Sequence, residues 1–314
     1  MKRKVIELGN QCRVISLPKK WVDQHNVKKG DELDVEEQST GELLITSETN
    51  KPKVIKTVEV DTTGMNSFQV NRLIRGLYRS KVDEIILHFS KPVIKDLKRK
   101  KENDIFTLTN TICQKLIGLE VIKKTDNSIT LQCFISLEDV ASIDATERRI
   151  FFLIKDFMND ITNNLDDFGK FYSLMYGQHD MVAKFCEYYL RTIVYSPIPV
   201  AIKTANYNLI SLLDKLTDCL RHLCDEINQQ KKTTLKVKQT LSSLFSLFAD
   251  YERFLFSKAP TTIVEIRYHL QHKINSEKFT ISEYKIITQV LLILDLINDI
   301  VEVKRIREAT LQLP

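Results

Sequence analysis

Hydrophobic and polar residues follow two different rhythms in this chain, and the change between them predicts its organisation. In the first 135 residues, short stretches alternate between apolar and polar positions, which is typical of half-buried β-strands. From Leu137 onward, apolar residues recur every three or four positions, which is typical of amphipathic helices. The predicted N-terminal elements are strands over 3–8, 13–17, 33–37 and 43–46 and a short helix over 19–25, which begins after Pro18.

Residues 54–135 combine both rhythms and predict the order β-α-β-α-β-β. The predicted strands cover 54–60, 84–89, 120–124 and 128–134, and the predicted helices cover 67–80 and 104–117. Turn residues change along the chain as well, because residues 1–118 hold six of the eight glycines. These patterns predict a β-containing front and a long helical back.

The helical part contains breaks that divide it into about six helices. They fall near Gly169, Gly177, Pro197, residues 231–234, Pro260 and Ser276. In the helix over 207–230, the apolar residues from Leu209 to Ile227 share one face, whereas Asp214 and Asp218 lie on the opposite face. Leu213–Asp218 is echoed by Leu294–Asp299, which places Asp295 and Asp299 in the same way. This echo indicates two three-helix units.

The composition is that of a globular protein without a membrane segment. Of the 314 residues, 43% are hydrophobic, and no apolar run exceeds the five residues of Val290–Leu294, which is far shorter than the roughly 20 residues of a membrane helix. The Met-Lys-Arg-Lys start lacks the apolar core of a secretory signal. The six scattered cysteines contain no Cys-x-x-Cys pair, so neither a disulfide framework nor a thiolate zinc site is expected. We therefore expect a cytoplasmic protein with no membrane insertion.

Positive charge is concentrated at the N-terminus and in the middle of the chain. The net charge is +1 over residues 1–53, +5 over 54–136 and −1 over 137–314. Up to Gly30, eight basic residues face only two acidic ones, which predicts a surface for phosphate groups. The basic residues of the middle segment could contact DNA, bind an acidic partner or simply be solvated. They are Arg72, Arg75, Arg79, Lys81 and the run Lys98-Arg99-Lys100-Lys101.

A motif in the first segment carries a more specific signal. Ile15-Ser16-Leu17-Pro18-Lys19, followed by Lys29-Gly30-Asp31-Glu32-Leu33, resembles the SpoVT/AbrB family of DNA-binding domains. The resemblance implies a swapped-hairpin β-barrel formed by a homodimer, and about 47 residues with four short strands cannot bury a core alone. By position it implies DNA contacts from Arg3, Lys4, Arg13, Lys19 and Lys20.

Two other interpretations of this segment stay open. The basic residues could serve only to keep a small domain soluble. Domains of this type also act as antitoxins that hold a toxin, although the roughly 260 residues that follow argue against a simple antitoxin. The family's usual small residue after the first turn is Cys12 here.

The paired aspartates resemble those of the PhoU family of phosphate-uptake regulators, which are built from duplicated three-helix bundles. That resemblance covers about residues 137–310 and implies a site for a divalent or ferric metal ion at Asp214, Asp218, Asp295 and Asp299. Other family positions depart from the pattern, since Asp180 is followed at i+4 by Lys184 and Glu265 by His269. The alternative is that the aspartates only form a solvated helix face.

Together, the segments resemble an archaeal-type PhoU-like phosphate-uptake regulator with an SpoVT/AbrB-like head. The expected fold is a multidomain α+β protein with a dimeric N-terminal swapped-hairpin β-barrel (1–50), a small α/β middle domain (54–135) and a C-terminal PhoU-like bundle of two three-helix repeats (137–314). The implied function is a DNA-binding transcriptional regulator of phosphate homeostasis whose helical domain senses the signal or docks a partner. No nucleophile elbow, P-loop or zinc-protease motif occurs, so no catalytic residue is assigned and an enzyme is not expected.

Two rival functions remain. The first is a PhoU-type inhibitor that acts on a phosphate transporter or its signalling kinase by protein–protein contact, with the basic head serving oligomerisation. The second is a metal-dependent enzyme on the helical bundle, which would need carboxylates that face inward.

Overall fold

The computed structural model places the chain in two compact units, Met1–Val54 and Ile55–Pro314. It describes residues 2–9, 12–37, 41–47, 55–98, 100–135, 143–194, 196, 198–230, 233–256 and 263–311. Some positions named above lie outside these ranges, namely Arg99, Pro197, Pro260, residues 231–232 and the predicted start of the helical region at Leu137.

The described residues of the first unit form two separate hairpins and one short helix. Strand β1 (Ile6–Leu8) pairs antiparallel with β2 (Cys12–Val14), and β3 (Asp34–Glu37) pairs antiparallel with β4 (Leu43–Thr46). Helix α1 (Lys19–Gln24) begins directly after Pro18, as predicted. The first two strands are shorter than predicted, because only three residue pairs hold the hairpin together.

The second unit begins with the predicted α/β region, in which the six predicted elements occur in the predicted sequence. The six predicted elements are β5 (Thr57–Asp61), α2 (Ser67–Arg79), β6 (Glu84–His88), α3 (Ile105–Cys113), β9 (Leu119–Lys124) and β10 (Ser128–Cys133). The sheet has the order β5-β6-β10-β9, in which β5 and β6 are parallel and the other pairs antiparallel. Asn66 and Gln69 start α2 with a capping box, and Ile74, Tyr78, Ile85 and Leu87 are fully buried in the core of this region.

An additional hairpin interrupts this region before α3. Strands β7 (Val93–Asp96) and β8 (Lys101–Asp104) pair antiparallel in a segment where no strand was predicted. The four-residue strands are rich in lysine, and only Ile94 among their residues is buried, so the hydrophobic pattern is too short to reveal them.

The described part of the C-terminal region contains seven helices rather than six. They are α4 (Ile143–Asn163), α5 (Phe168–Tyr172), α6 (Met175–Ile193), α7 (Val200–Asn228), α8 (Leu235–Phe256), α9 (Ile263–Ser276) and α10 (Ile281–Leu311). The breaks expected near Gly169 and Gly177 lie a few residues earlier, at 164–167 and 173–174. The glycines themselves lie inside α5 and in the first turn of α6.

The helices pack in two groups of three. Helices α4, α6 and α7 contact one another, and so do α8, α9 and α10. The groups meet where α7 packs along α10 and α4 along α8, and one continuous apolar core fills the whole region. Helix α5 is the additional element that brings the number to seven. None of the described helices combines the length and hydrophobicity that a membrane crossing requires.

Candidate functional site

All five predicted DNA-contacting residues are exposed in the first unit. Lys19 and Lys20 form the first two positions of α1, and Arg13 lies in β2 opposite Glu7 of β1. Arg3 and Lys4 precede β1. Within the described residues, none of the five has an ion pair, so their charges are available to an external anion.

The first unit also exposes an apolar surface. None of its described residues is buried, although both hairpins carry aliphatic side chains. The exposed members are Val5, Ile6, Leu8, Ile15, Val35, Leu43 and Leu44. A surface of this kind on four short strands marks an interaction site, because the strands bury little apolar area as a single chain.

The four aspartates predicted as metal ligands lie on α7 and α10. Asp218 Oδ1 lies at hydrogen-bond distance from His179 Nε2, at 3.1 Å. The other ring nitrogen of His179, Nδ1, lies 3.3 Å from Asp180 Oδ1. Asp180 in turn pairs with Lys115 Nζ at 2.8 Å. This face of α7 is therefore not simply solvated, because α6 and the α/β region supply polar partners to it.

These contacts shift the ionisation of the groups involved. Burial by itself lowers the pKa of His179, but the hydrogen bonds with Asp180 and Asp218 outweigh burial and raise the pKa above its ordinary value. Burial raises the pKa of Asp180, but hydrogen bonds from His179 and Lys115 prevail and bring it to about 2. The hydrogen bond with His179 also lowers the pKa of Asp218. The trio therefore favours a protonated histidine between two carboxylates.

Asp214 lies one turn before Asp218 in a different environment. It is half-buried, and burial, followed by the negative charge of Glu187, raises its pKa. Asp295 on α10 is exposed and accepts a hydrogen bond from Arg267 Nη2 at 2.8 Å, and Asp299 is exposed as well.

The four aspartates do not form one ligand cluster. Across the ranges that the structure describes, no group of three or more His, Cys, Asp or Glu side chains is arranged to hold a metal ion. Two of the aspartates already have protein partners, His179 and Arg267, which a metal would have to displace. This arrangement does not favour a metal at these residues, and metal binding stays a prediction.

Two of the middle-segment arginines have a structural partner that was not predicted from the sequence. Arg75 Nη1 donates to Glu187 Oε1 at 2.6 Å, and Arg79 donates to both carboxylate oxygens of Glu187 at 2.6 and 2.8 Å. Glu187 is only 1% exposed. The two arginines therefore join α2 to α6, and their charge is used inside the protein rather than offered to DNA.

A third arginine, which is buried, strengthens this joint between α2 and α6. Arg191, one turn after Glu187 on α6, donates to the backbone oxygens of Tyr78 at 2.5 Å and Val82 at 3.2 Å. Its guanidinium also lies 3.6 Å from Asp83 and over the Tyr78 ring. The signal for this joint was present in the sequence, because Glu187 and Arg191 interrupt an otherwise apolar stretch at i and i+4. The predicted domains 54–135 and 137–314 thus have separate cores but belong to one compact unit.

Comparison with known proteins bears on the first unit. A family model described as "Antidote-toxin recognition MazE, bacterial antitoxin" matches residues 13–53. Neither a curated protein nor a solved structure matches the chain. The match gives no support to the PhoU resemblance of the helical region, which remains a prediction. The chain therefore carries a MazE/AbrB-type domain at its N-terminus, followed by a mixed α/β region and a region of seven described helices.

Proposed function

We propose that this protein is a homodimeric DNA-binding regulator and that its first unit reads the DNA. The observation that carries the proposal is the exposure of five basic side chains, which have no ion pairs among the described residues, on a domain of the MazE/AbrB type. Arginine and lysine contacts to phosphates supply most of the affinity of such proteins for DNA.

Dimerisation of the first unit explains its apolar surface. If strands from two chains interleave into one swapped-hairpin barrel, residues such as Leu8 and Val35 become buried in a shared core. The same two-fold arrangement presents each basic residue twice. Both the stability of the domain and its DNA affinity then depend on pairing of two chains.

The helical region serves in this proposal as the sensor or partner-docking module of a phosphate-homeostasis regulator. Support comes from its two groups of three helices, in which the echoed aspartate pairs lie on the third helix of each group, α7 and α10. The signal would reach it directly or through a phosphate transporter or signalling kinase. A divalent or ferric ion at the aspartates is a further part of the resemblance, and the proposal does not depend on it. We assign no catalytic residue.

An antitoxin is a second candidate function, because the matched family model is named for toxin recognition. The long second unit, with two cores of its own, argues against an antitoxin of the simple kind. The remaining alternative, a PhoU-type inhibitor of a transporter or kinase, would require no DNA binding at all.

Selection of genomic fragments by the purified full chain, followed by footprinting, separates these functions. We expect a protected two-fold site and loss of protection when residues 1–50 are removed. Unchanged specific binding after this truncation would show that another part reads the DNA. Absence of any specific fragment, with co-purification of a toxin, transporter or kinase from the native host, would favour the corresponding alternative.

A further inference from the structure

The β7–β8 hairpin is a basic projection anchored at its base and open at its tip. Ile94 is buried in the core of the α/β region, and the backbone N–H of Ile105 donates to Pro92 O at 3.0 Å. The backbone of Lys95 forms a bridge with Asn66 at the start of α2. At the tip, Leu97 is 64% exposed.

The two aspartates of the hairpin accept hydrogen bonds from nearby residues of the same region. Asp96 accepts hydrogen bonds from the backbone N–H of Lys98 at 3.0 Å and from Asn103 Nδ2 at 3.2 Å. Asp104 caps α3 by accepting from the N–H and hydroxyl of Thr107, both at 2.8 Å. Glu102 is the remaining carboxylate of the hairpin.

The lysines of the hairpin differ from its aspartates in this respect. Four lysines within Val93–Asp104, together with one just before the hairpin, are exposed, and within the described residues none of these five has an ion pair. They are Lys91, Lys95, Lys98, Lys100 and Lys101. This contrasts with Arg75 and Arg79 of the same region, which are paired with Glu187. Exposed lysines grouped on one narrow projection favour the binding of an external polyanion.

We propose that the β7–β8 hairpin is a second DNA-binding element, which contacts the phosphate backbone through these lysines. The proposal rests on the proposed function, because DNA bound at the first unit raises the local concentration of DNA phosphates around the rest of the chain. A two-stranded antiparallel ribbon is also narrow enough to enter the major groove of a duplex. Lysine acts here as a point charge and gives affinity rather than sequence preference.

An anionic membrane surface is the competing polyanion, since Leu97 offers an apolar tip between lysines. The MazE/AbrB-type domain in the same chain favours DNA, because it supplies an independent reason for DNA to be the partner.

Salt-dependent DNA affinity of the full chain tests the proposal. The hairpin variant is Lys98→Gln with Lys101→Gln, and the matched control is Lys170→Gln with Lys285→Gln, which removes two exposed lysines from α5 and α10. The probe is a fluorescent random-sequence DNA duplex. Because each phosphate neutralised contributes about −0.9 to the slope of log affinity against log salt, the hairpin variant should flatten the slope by about two to four units per dimer. The control should retain the wild-type slope.

A second measurement does not depend on variants. In the wild-type chain, bound duplex should protect Lys98, Lys100 and Lys101 from acetylation, as read by mass spectrometry, but not Lys170 or Lys285. A hairpin variant with the control's slope, together with unprotected hairpin lysines, overturns the proposal.

The remaining outcomes identify which proposal fails. If Lys19→Ala with Lys20→Ala weakens DNA binding but the hairpin variant does not, only the hairpin proposal fails. If the wild-type chain binds neither random nor genomic DNA, the proposed function fails and the hairpin proposal fails with it. If the hairpin variant loses binding to phosphatidylserine vesicles while its DNA slope stays unchanged, the hairpin is a lipid-binding element and the DNA proposal is overturned.

Discussion

Glu187 and His179 lie eight residues apart on α6, and each links this helix to other parts of the second unit. Glu187 receives two guanidinium groups of α2, whereas His179 bridges to Asp218 of α7. Both side chains are mostly withdrawn from water, so the protein must satisfy their polar atoms internally. Substituting either residue should therefore affect the stability of the whole unit.

Glu187→Gln should destabilise the second unit by about 3 kcal/mol, because it leaves two arginines beside a neutral amide. The expected cost is at the lower end for a broken buried ion pair, since both guanidinium groups keep partial contact with water. Urea unfolding of the full chain measures it. The control is Asp166→Asn, which removes a carboxylate that is 86% exposed and should cost less than about 1 kcal/mol. Equal effects of the two variants would contradict a special role for Glu187.

His179 should make stability fall as the pH rises above about 6.5, the ordinary pKa of histidine. Its pKa in the folded protein lies above the ordinary 6.5, so the folded state holds the proton more tightly than the unfolded state. The stabilisation is fully present below the unfolded pKa and is lost as the pH rises through the folded pKa. Urea unfolding at increasing pH should show a smaller decline for His179→Gln than for the wild type. His272→Gln, at an exposed position of α9, should decline as the wild type does. Parallel curves for His179→Gln and the wild type would exclude this linkage.

Among the helices and strands, those with a long hydrophobic pattern were predictable from the sequence, and those with a short pattern were not. Helix α2, with its capping signal at Asn66, and strands β6 and β10 were recognisable because their buried apolar residues repeat with a clear period. The β7–β8 hairpin was not, because its pairing comes from backbone hydrogen bonds and only one of its side chains is buried.

Glycine gave an ambiguous signal in the helical region. Gly169 and Gly177 indicated breaks, yet both lie within helices, where packing of neighbouring apolar residues such as Phe168 and Met175 outweighs the low helix propensity of glycine. The joint through Glu187 could not be located either. A single sequence shows a charged pair in an apolar stretch but not which distant arginines meet it.

Gly118 holds the turn between α3 and β9, and its replacement should be costly. Its φ of +71° favours glycine, and an added Cβ would overlap with Ile135 Cγ1. Gly118→Ala should therefore cost about 2–4 kcal/mol, from backbone strain and overpacking together. Gly64→Ala is the matched control, because Gly64 has a φ of +80° but open space around its Cβ position. The control should cost only about 1–2 kcal/mol in the same urea unfolding measurement. If Gly64→Ala were the more destabilising of the two, contact with Ile135 would not be the cause.

At the scale of the whole molecule, the two units differ in how far they bury their apolar side chains. The second unit buries large side chains in two cores of its own, whereas no described residue of the first unit is buried. The MazE/AbrB-type match over residues 13–53 is consistent with this contrast, since domains of this type dimerise. The oligomeric state should therefore depend on the first unit.

Leu8→Asp should convert the dimer into a monomer. Leu8 is 63% exposed in the single chain, and in an interleaved barrel the substitution would bury an unpaired charge. Sedimentation of the full chain should show the change, while thermal unfolding of the second unit stays as in the wild type. Val200→Asp is the control, because Val200 on α7 is 76% exposed and belongs to the second unit. A Leu8→Asp protein that sediments like the wild type would exclude this apolar surface as the interface.

The DNA affinity of such a dimer should depend on salt through the basic residues of the first unit. Each chain contributes Lys19 and Lys20 at the start of α1, so one substitution removes the same phosphate-binding side chain from both halves of the dimer. Replacing either lysine with Ala should flatten the slope of log affinity against log salt by roughly one to two units per dimer, and should weaken binding to all sequences alike.

Arg13→Ala should instead relax sequence preference, because arginine can form a bidentate contact with guanine worth about 1–3 kcal/mol. Asp295→Asn with Asp299→Asn should leave the slope intact, since these carboxylates neutralise no phosphate. Fluorescence anisotropy over a salt series with genomic and random duplexes measures both effects, and a lysine variant with the wild-type slope would remove α1 from the DNA interface.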